Sequence, residues 1–237
     1  MDKILIIIPT YNEINNIEKI INKIISIDTN YNILVVDDNS PDKTYEKVSE
    51  LSVINPKIQL LLRNERGGIG TAYCSGFNYA IKNNYDKVIQ IDADMSHNPE
   101  DIPKLINLSK KYDLVIGSRY IKGISIVNWP MSRLILSYGA NIYAKLLTGM
   151  NIMDCTGGFK CFNSRVLKSI DFKTINSQGY SFQIEMNYLT YIKNFTIFET
   201  PIIFRDRTIG KSKMSKKVIF EAIYLVPLLR IKNLFNR

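Results

Sequence analysis

Short apolar runs and amphipathic stretches alternate along the first half of the chain. The apolar runs predict strands buried on both faces of a sheet, at Ile4–Ile8, Ile33–Val36, Ile58–Leu62, Val88–Ile91 and Leu114–Ile116. The stretches between them predict helices, most clearly where isoleucines recur on one stripe from Ile14 to Ile25. Because βα units of this length repeat, the pattern predicts an α/β fold with a mostly parallel, Rossmann-like sheet flanked by helices.

The second half of the chain is less regular after Arg119. Residues Phe195–Phe204 predict a further pair of strands, after which the chain becomes basic and ends in an apolar-basic helix. The sequence has no internal repeat and no linker. We therefore expect one domain at 1–214, followed by a C-terminal amphipathic helix at 215–237.

Composition and charge narrow the class of protein. Hydrophobic residues make up 46% of the 237 residues, which is typical of a globular protein. The net charge of +9 favours an anionic partner such as nucleotide phosphates, nucleic acid or an acidic membrane face. The three cysteines lack zinc-type spacing, so we expect reduced thiols of a cytoplasmic protein. No run of about 18 apolar residues occurs, so we expect no transmembrane helix and a soluble or peripheral protein.

Polar clusters follow three of the predicted strands. They are Tyr11-Asn12-Glu13, Asp37-Asp38-Asn39-Ser40 and Asp92-Ala93-Asp94. In open parallel sheets, ligands bind beyond the carboxyl ends of the strands. We therefore expect the three clusters to converge on one edge of the sheet and to form a site there.

The pair Asp92 and Asp94 predicts a metal site. The two carboxylates alternate at a strand end and therefore project to the same side, where they can hold Mg²⁺ or Mn²⁺. The alternative is an aspartate-rich turn that caps the next helix. Since Asp37 and Asp38 follow a neighbouring strand, four carboxylates would repel one another without a cation, which favours the metal site.

A basic segment predicts the phosphate-binding part of the same site. Arg205, Arg207, Lys211 and Lys213 lie close together around Gly210, where the loop can bend. Arginine binds phosphate through two parallel hydrogen bonds and lysine adds a point charge, as a departing nucleoside diphosphate requires. The alternative is a charged surface turn.

Two further features give weaker signals. The segment Gly67-Gly68-Ile69-Gly70 fits neither the dinucleotide fingerprint nor a P-loop, and we expect its backbone to pass close to a ligand or a neighbouring strand. His97 is the only histidine in the sequence. We interpret it as stabilising a turn, in preference to a metal ligand or a base.

Several motifs together resemble the family 2 glycosyltransferases of GT-A fold. They are Pro9-Thr-Tyr-Asn-Glu13, Val36-Asp-Asp-Asn-Ser-Pro-Asp42, Asp92-Ala-Asp94 with Ser96-His97, and Gly117-Ser-Arg-Tyr120. Others resemble the polyprenol (dolichyl) phosphate mannosyltransferases within that family: Asn128-Trp-Pro130 with Arg133, Thr156-Gly-Gly-Phe159, Gly179-Tyr-Ser-Phe-Gln-Ile-Glu185, and Asp206-Arg207 with Gly210-Lys-Ser-Lys-Met214. The resemblance extends from about Lys3 to Met214.

The resemblance implies substrates and a role for each matching residue. The donor would be GDP-mannose, the acceptor a polyprenyl phosphate, and the transfer inverting. The nucleoside would be held by Pro9, Tyr11, Glu13, Val36 and Asp38. The metal and the diphosphate would lie at Asp92, Ala93 and Asp94. The third metal ligand would be Ser96, where some relatives have a glutamine. Serine is a weaker ligand, so water is expected to complete the coordination shell of the metal. The catalytic groups would be Asp94 and the phosphate-facing Arg119, Arg133, Arg207 and Lys213.

This chemistry needs no general base. A phosphate monoester has a second pKa of about 6 and is largely a dianion at neutral pH, so the acceptor arrives already charged. A sugar hydroxyl acceptor would need a base beside it. A site rich in arginine and lysine with a single histidine is therefore consistent with a phosphate acceptor.

The C-terminal segment predicts a contact with the membrane. Lys213, Lys216 and Lys217 precede an apolar helix, which suits an interfacial helix on anionic lipid at the cytoplasmic face. The alternative is a helix packed on the protein's own core. A small membrane-anchored partner subunit is compatible with this arrangement.

Two other functions compete with mannosyl transfer. A polyprenyl phosphate glucosyltransferase using UDP-glucose would share the chemistry and differ only in contacts to the sugar. A nucleic-acid-binding module would explain the positive charge. The acidic strand ends and the lack of a basic-aromatic strand pattern count against it, so we expect no nucleic acid partner.

Overall fold

The computed structural model describes residues 2–175, 177–207 and 216–235. The strands are β1 (Ile4–Thr10), β2 (Asn32–Asp37), β3 (Ile58–Leu62), β4 (Lys87–Gln90), β5 (Leu114–Ser118), β6 (Ile126–Val127), β7 (Lys160–Asn163), β8 (Ile197–Pro201) and β9 (Phe204–Arg205). The helices are α1 (Ile17–Ile27), α2 (Thr44–Ile54), α3 (Ile69–Lys82), α4 (Ile102–Leu108), α5 (Met131–Thr148), α6 (Ser164–Lys168), α7 (Tyr180–Ile192) and α8 (Lys216–Phe235).

A seven-stranded sheet in the order β3-β2-β1-β4-β7-β5-β8 forms the centre of the molecule. All of its strand pairs are parallel except those of β7, which runs antiparallel to both β4 and β5. Buried apolar clusters lie on both faces of the sheet, under the helices. The prediction of an α/β fold with a mostly parallel sheet is confirmed, and all five strands predicted in the first half are present.

The second half differs from its prediction in two ways. Strand β7 was not predicted, because it is only four residues long and begins with a lysine, Lys160, that is buried in the sheet. The strands predicted at Phe195–Phe204 exist, but they do not pair with each other: β8 joins β5, and β9 joins β6 in a separate small sheet. Long helices α5 and α7 occupy much of the region whose sequence pattern is irregular.

The C-terminal helix α8 packs on α5 and α7. Val226 and Leu229 are buried there, whereas Tyr224 and Leu228 on the same helix are exposed. The alternative of a helix packed on the core is therefore correct for one side of α8. None of the helices in the described ranges is long and apolar enough to cross a bilayer.

Candidate active site

The loops that follow β1 and β2 are joined through the buried carboxylate of Asp37. One of its oxygens accepts hydrogen bonds from Thr10 Oγ1 at 2.6 Å and from Ser40 Oγ at 2.7 Å. The same Ser40 hydroxyl accepts from the backbone amide of Asn12 at 3.0 Å. Asp37 therefore fixes the shape of the two strand ends.

The carboxylate of Asp38 holds the glycine segment in place. Arg63 Nη1 donates to Asp38 Oδ1 at 2.8 Å, and the amides of Gly67 and Gly68 donate to Oδ2 at 3.1 Å and 3.2 Å. Gly68 has φ of 87°, which favours glycine at the start of α3. The prediction that this backbone passes close to a neighbouring strand end is confirmed. Arg63 was not among the predicted residues, although it directly follows β3 and the same rule of strand ends applies to it.

The residues predicted to hold a nucleoside come together at the ends of β1 and β2. Pro9 and Val36 are opposite each other in the register of the two strands. Tyr11 follows β1 and lies under the guanidinium of Arg66, whose Cζ is 4.1 Å from the centre of the ring. Glu13 is buried and accepts from Asn16 Nδ2 at 2.8 Å. The cluster offers an aromatic face and acidic oxygens beside Asp38, which suits a base and a ribose.

Asp94 is joined to the late basic segment by an ion pair. Its Oδ2 lies 2.9 Å from Arg207 Nη2, and its Oδ1 accepts from the backbone amide of Ser96 at 3.0 Å. Burial would raise the pKa of Asp94, but the hydrogen bonding of Ser96 and the charge of Arg207 outweigh burial and lower that pKa. The predicted meeting of an acidic strand end with the basic segment is present at this pair. Lys211 and Lys213 lie outside the described residues.

Asp92 shares its environment with a histidine. Its Oδ2 lies 3.8 Å from His97 Nδ1. Burial is the main cause that raises the pKa of Asp92, and the negative charge of Asp94 adds to it. His97 and Arg207 lower this pKa, but the net shift is upward. Burial lowers the pKa of His97 by more than the two aspartates raise it, so the ring is neutral at neutral pH.

His97 is buried between two aromatic side chains. Its ring stacks on Phe159 with centroids 5.3 Å apart and meets Phe204 edge-on at 5.2 Å. Nδ1 is buried without a hydrogen-bond partner in the described part of the chain. The ring therefore packs between aromatic side chains and faces Asp92, and it makes no hydrogen bond through Nδ1 that would stabilise a turn.

The oxygen atoms around Asp92 fit Mg²⁺ or Mn²⁺. Asp92 and Asp94 supply two carboxylates around the buried Ala93, and the Ser96 hydroxyl is buried without a hydrogen-bond partner among the described residues. No group of three or more histidine, cysteine or acidic side chains in the described ranges is arranged to hold a metal ion. That donor set suits a cation bound through one or two carboxylates, with substrate phosphates and water completing its shell.

Two guanidinium groups flank Trp129 at the edge of an apolar cavity. The Arg133 Cζ lies 4.0 Å from the Trp129 ring centre and the Arg119 Cζ lies 5.6 Å from it. Arg119 is bound by the buried Asp154, and Arg133 Nη1 is paired with Asp206 at 3.0 Å. Burial opposes the charge of Arg119, but Asp154 outweighs it and the pKa of Arg119 is raised. Asp154 and Trp129 were not among the predicted site residues.

The cavity has a volume of about 420 Å³. Its lining is largely apolar and includes Ile135, Leu136, Gly139, Ala140, Tyr143, Ile184 and Ile223, with Arg119 and Arg133 on its polar side. The apolar residues come from α5, α7 and α8, whereas Arg119 directly follows β5, so the cavity lies between the end of that strand and the helices. The arrangement suits an amphipathic ligand with an anionic head and an apolar chain.

Comparison with known proteins identifies the family to which the chain belongs. The profile of glycosyl transferase family 2 matches residues 5–171. An undecaprenyl-phosphate mannosyltransferase of Micrococcus luteus is 38% identical over 221 residues, which is 93% of this chain and 91% of that protein. A polyprenol monophosphomannose synthase of Mycolicibacterium smegmatis is 39% identical over 224 residues, 94% of this chain and 84% of that protein.

Among solved structures, the fold is shared with glucosyl-3-phosphoglycerate synthase from Mycobacterium tuberculosis. The crystal structure of its complex with Mn²⁺, UDP-glucose and phosphoglyceric acid aligns with a TM-score of 0.73 at 18% identity, covering 98% of this chain and 80% of the synthase. The predicted GT-A architecture is thereby confirmed. On the family match and the two relatives, the chain belongs to glycosyl transferase family 2 and is a glycosyltransferase enzyme.

Proposed function

We propose that the enzyme transfers mannose from GDP-mannose to a polyprenyl phosphate, with inversion at the anomeric carbon, giving polyprenyl phosphate mannose and GDP. The names of the relatives from Micrococcus luteus and Mycolicibacterium smegmatis support a mannosyl group and a polyprenyl phosphate. The observation that carries the proposal is the pair Arg119 and Arg133 on the polar side of an apolar cavity. A phosphate on these two guanidinium groups would leave its polyprenyl chain in the cavity.

The acidic side of the site suits the donor. Tyr11, Glu13 and Asp38 lie where a nucleoside would bind, and its diphosphate would then extend along the sheet edge toward Asp94 and Arg207. A divalent cation, Mg²⁺ or Mn²⁺, held by Asp92 and Asp94 would supply Lewis-acid stabilisation of the leaving diphosphate. Arg207 adds a positive charge at the same place, where negative charge develops as the sugar leaves.

The acceptor phosphate would be the nucleophile itself. It is largely a dianion at neutral pH, so the protein needs to orient it and reduce its repulsion from the donor diphosphate. Arg119 and Arg133 are suited to that task, because guanidinium groups donate hydrogen bonds to a phosphate and reduce its charge repulsion. His97 is buried and neutral beside Asp92, and the reaction requires no proton to be removed by it. Attack by a phosphate oxygen on the side opposite the diphosphate inverts the anomeric carbon.

A membrane surface is the proposed location of the acceptor end of the site. Helices α5 and α8 both contribute to the cavity lining, and both carry exposed apolar side chains, including Ile135, Leu146, Tyr224 and Leu228. Exposed apolar residues on adjacent helices suit insertion into the headgroup region of a bilayer. A lipid acceptor could then enter the cavity without leaving the membrane.

A transfer assay tests the proposal. Purified enzyme is incubated with radiolabelled GDP-mannose or UDP-glucose, a polyprenyl phosphate, and Mg²⁺ or Mn²⁺, and the lipid product is extracted into organic solvent. We expect metal-dependent labelling of the lipid from GDP-mannose, and an anomeric configuration opposite to that of the donor by NMR. Labelling from UDP-glucose alone would overturn the donor, and release of free mannose without a labelled lipid would overturn the acceptor. Arg133→Gln serves as the matched variant with a weakened acceptor site.

A further inference from the structure

Gln183 on α7 is a buried polar side chain that the mechanism above does not use. The residue is only 4% exposed. Its Oε1 is fully buried and has no hydrogen-bond partner among the described residues. A buried amide oxygen without a partner costs about 1–3 kcal/mol, so native proteins rarely keep one unless a ligand or water completes it.

The Gln183 amide faces the acidic site across a gap left by a glycine. A Cβ on Gly158 would lie 3.6 Å from Gln183 Nε2, 3.7 Å from Asp92 Oδ2 and 3.8 Å from His97 Cε1. The amide, the carboxylate and the imidazole therefore all border one methyl-sized space, which the absence of a side chain at position 158 leaves unfilled. The space lies beside Asp92, where the sugar end of a nucleotide sugar would be found if the diphosphate binds at Asp92 and Asp94.

The backbone of Gln183 is held in place by a buried lysine of the central sheet. Lys160 Nζ on β7 donates to the backbone carbonyl of Gln183 at 3.1 Å and to Asn187 Oδ1 at 2.8 Å. Asn187 Nδ2 in turn donates to the carbonyl of Cys155 at 3.0 Å. These bonds attach the first turns of α7 to the centre of the sheet, so the Gln183 side chain starts from a rigid backbone.

We propose that Gln183 binds a hydroxyl group of the donor sugar and contributes to the choice of sugar, an inference that rests on the proposed function of the site. A phosphate only accepts hydrogen bonds, so it could pair with Nε2, which lies beside the space, but would leave the buried Oε1 of the same amide without a partner. A sugar hydroxyl both donates and accepts, and it therefore pairs with either end of the amide. A site that hydrogen-bonds a substrate hydroxyl discriminates strongly against a sugar that lacks it.

Binding measurements with and without the sugar test the inference. Gln183→Met keeps the length and helix propensity of the side chain and removes both polar atoms. We expect the affinity for GDP with Mn²⁺ to stay within about twofold of wild type, while kcat/KM and affinity for GDP-mannose fall about 10- to 100-fold, as for the loss of one buried hydrogen bond. Gln59→Met on the edge strand β3 is the matched control and should change neither.

A series of deoxy-mannose donors identifies the hydroxyl. The wild-type enzyme should lose affinity for the analogue that lacks the contacted hydroxyl, and Gln183→Met should no longer distinguish that analogue from GDP-mannose. Equal weakening of GDP and GDP-mannose by Gln183→Met would overturn the inference, as would the same discrimination among analogues in both proteins. If the wild type uses UDP-glucose instead, the proposed donor fails, and the comparison of UDP with UDP-glucose still tests Gln183.

A second variant tests the space itself. Gly158→Ala places a methyl group between Gln183, Asp92 and His97 at ordinary van der Waals distances, so the fold should be retained. We expect its thermal unfolding to match wild type within about 2 °C, since no neighbouring atom has to move to admit the methyl group and the free energy of unfolding should change by less than about 0.5 kcal/mol. Affinity for GDP-mannose should fall while affinity for GDP remains. Unchanged affinity for GDP-mannose would show that no sugar occupies this space.

Discussion

The guanidinium of Arg119 is bound on two sides by the carboxylate of Asp154, with Nε 2.7 Å from Oδ2 and Nη2 2.6 Å from Oδ1. Arg119 also donates to Thr156 Oγ1 at 2.7 Å, and Asp154 is itself positioned by Glu199, which accepts from its backbone amide at 2.9 Å. Both members of the pair are buried. These bonds occupy Nε and Nη2, so Arg119 lines the cavity from a fixed position with Nη1 as the group that can donate to a phosphate.

Removal of Asp154 should leave a buried charge without its partner. We expect Asp154→Ala to lower the free energy of unfolding by about 3–5 kcal/mol, the usual cost of breaking a buried ion pair from one side. Urea unfolding followed by circular dichroism measures this change. The double variant Arg119→Met/Asp154→Leu should recover most of the loss, because it removes both charges. Equal stabilities of wild type and Asp154→Ala would contradict a structural role for the pair.

The sequence predicts the acidic residues of the site better than it predicts the residues that hold them in position. Asp92, Asp94 and Asp38 follow apolar runs, so the rule that ligands bind at strand ends finds them directly. Arg63 is accessible to the same rule because it follows β3. The clustered charges of the basic segment predicted that it joins this site, but not that Arg207 pairs with Asp94, since the two residues are far apart in the chain.

Other features leave no local signal in the sequence. Asp154 binds Arg119 across 35 residues, and nothing near Asp154 indicates that pairing. Strand β7 contains a buried lysine, so its sequence pattern is that of an exposed segment. The hydrogen bonds of this lysine are tertiary contacts with α7, which the sequence of the strand does not indicate. The cavity is formed by three helices and by loop residues from separate parts of the chain, so its shape depends on packing that periodicity does not encode.

The absence of a required base predicts a difference between His97 and its neighbours. We expect His97→Ala to retain substantial turnover, whereas Asp94→Ala and Arg207→Ala should each lower kcat at least about 100-fold, as for the removal of an electrostatic stabiliser. The measurement is single-turnover transfer from GDP-mannose at saturating acceptor. Folding of each variant is checked by thermal unfolding. An inactive His97→Ala protein that folds and binds GDP normally would contradict the mechanism.

Gly139 provides a direct test of the apolar cavity. A Cβ at this position on α5 meets no atom within 4 Å, and the residue lines the cavity. Gly139→Ala should raise the free energy of unfolding by up to about 1 kcal/mol, because glycine is unfavourable inside a helix. Gly139→Phe should fill the cavity and lower kcat/KM for the polyprenyl phosphate at least about tenfold, since the chain loses buried apolar area. Affinity for GDP is the control and should not change; equal activity of Gly139→Phe and wild type would exclude the cavity as the acceptor site.

The buried Lys160 should give the protein a pH-dependent stability. Burial lowers the pKa of Lys160 from 10.5 to about 7, despite the opposing charge of Asp154. Between these two values the unfolded chain holds a proton that the folded protein lacks, so the stability contributed by this group rises with pH from about 7 to 10.5 and is lost as pH falls toward 7. We expect Lys160→Met to remove a slope of up to about 1.4 kcal/mol per pH unit from the free energy of unfolding in this window.

Urea unfolding at several values of pH between 7 and 10 measures the slope. The exposed Lys168 on the adjacent helix α6 supplies the matched control, because Lys168→Met also removes one lysine. The Lys160→Met curve should be flatter than both wild type and the control. Parallel curves for all three proteins would mean that the Lys160 amine is equally protonated in the folded and unfolded states.

The exposed apolar side chains of α5 and α8 predict where the enzyme meets a membrane. Deletion of 215–237 would test this poorly, because Val226 and Leu229 are buried in the core and their loss would destabilise the domain. Single changes at Tyr224, which is 71% exposed, and at Leu146, which is 74% exposed, leave the core intact.

We expect Tyr224→Glu and Leu146→Glu each to weaken binding to anionic vesicles about tenfold or more, since each removes apolar contact and adds a repelled charge. Ile54→Glu at the end of α2 introduces the same charge at a site that is 82% exposed. It should bind vesicles like wild type, and all three variants should keep their affinity for GDP. If all three variants sediment with vesicles to the wild-type extent, α5 and α8 are excluded as the membrane-binding surface.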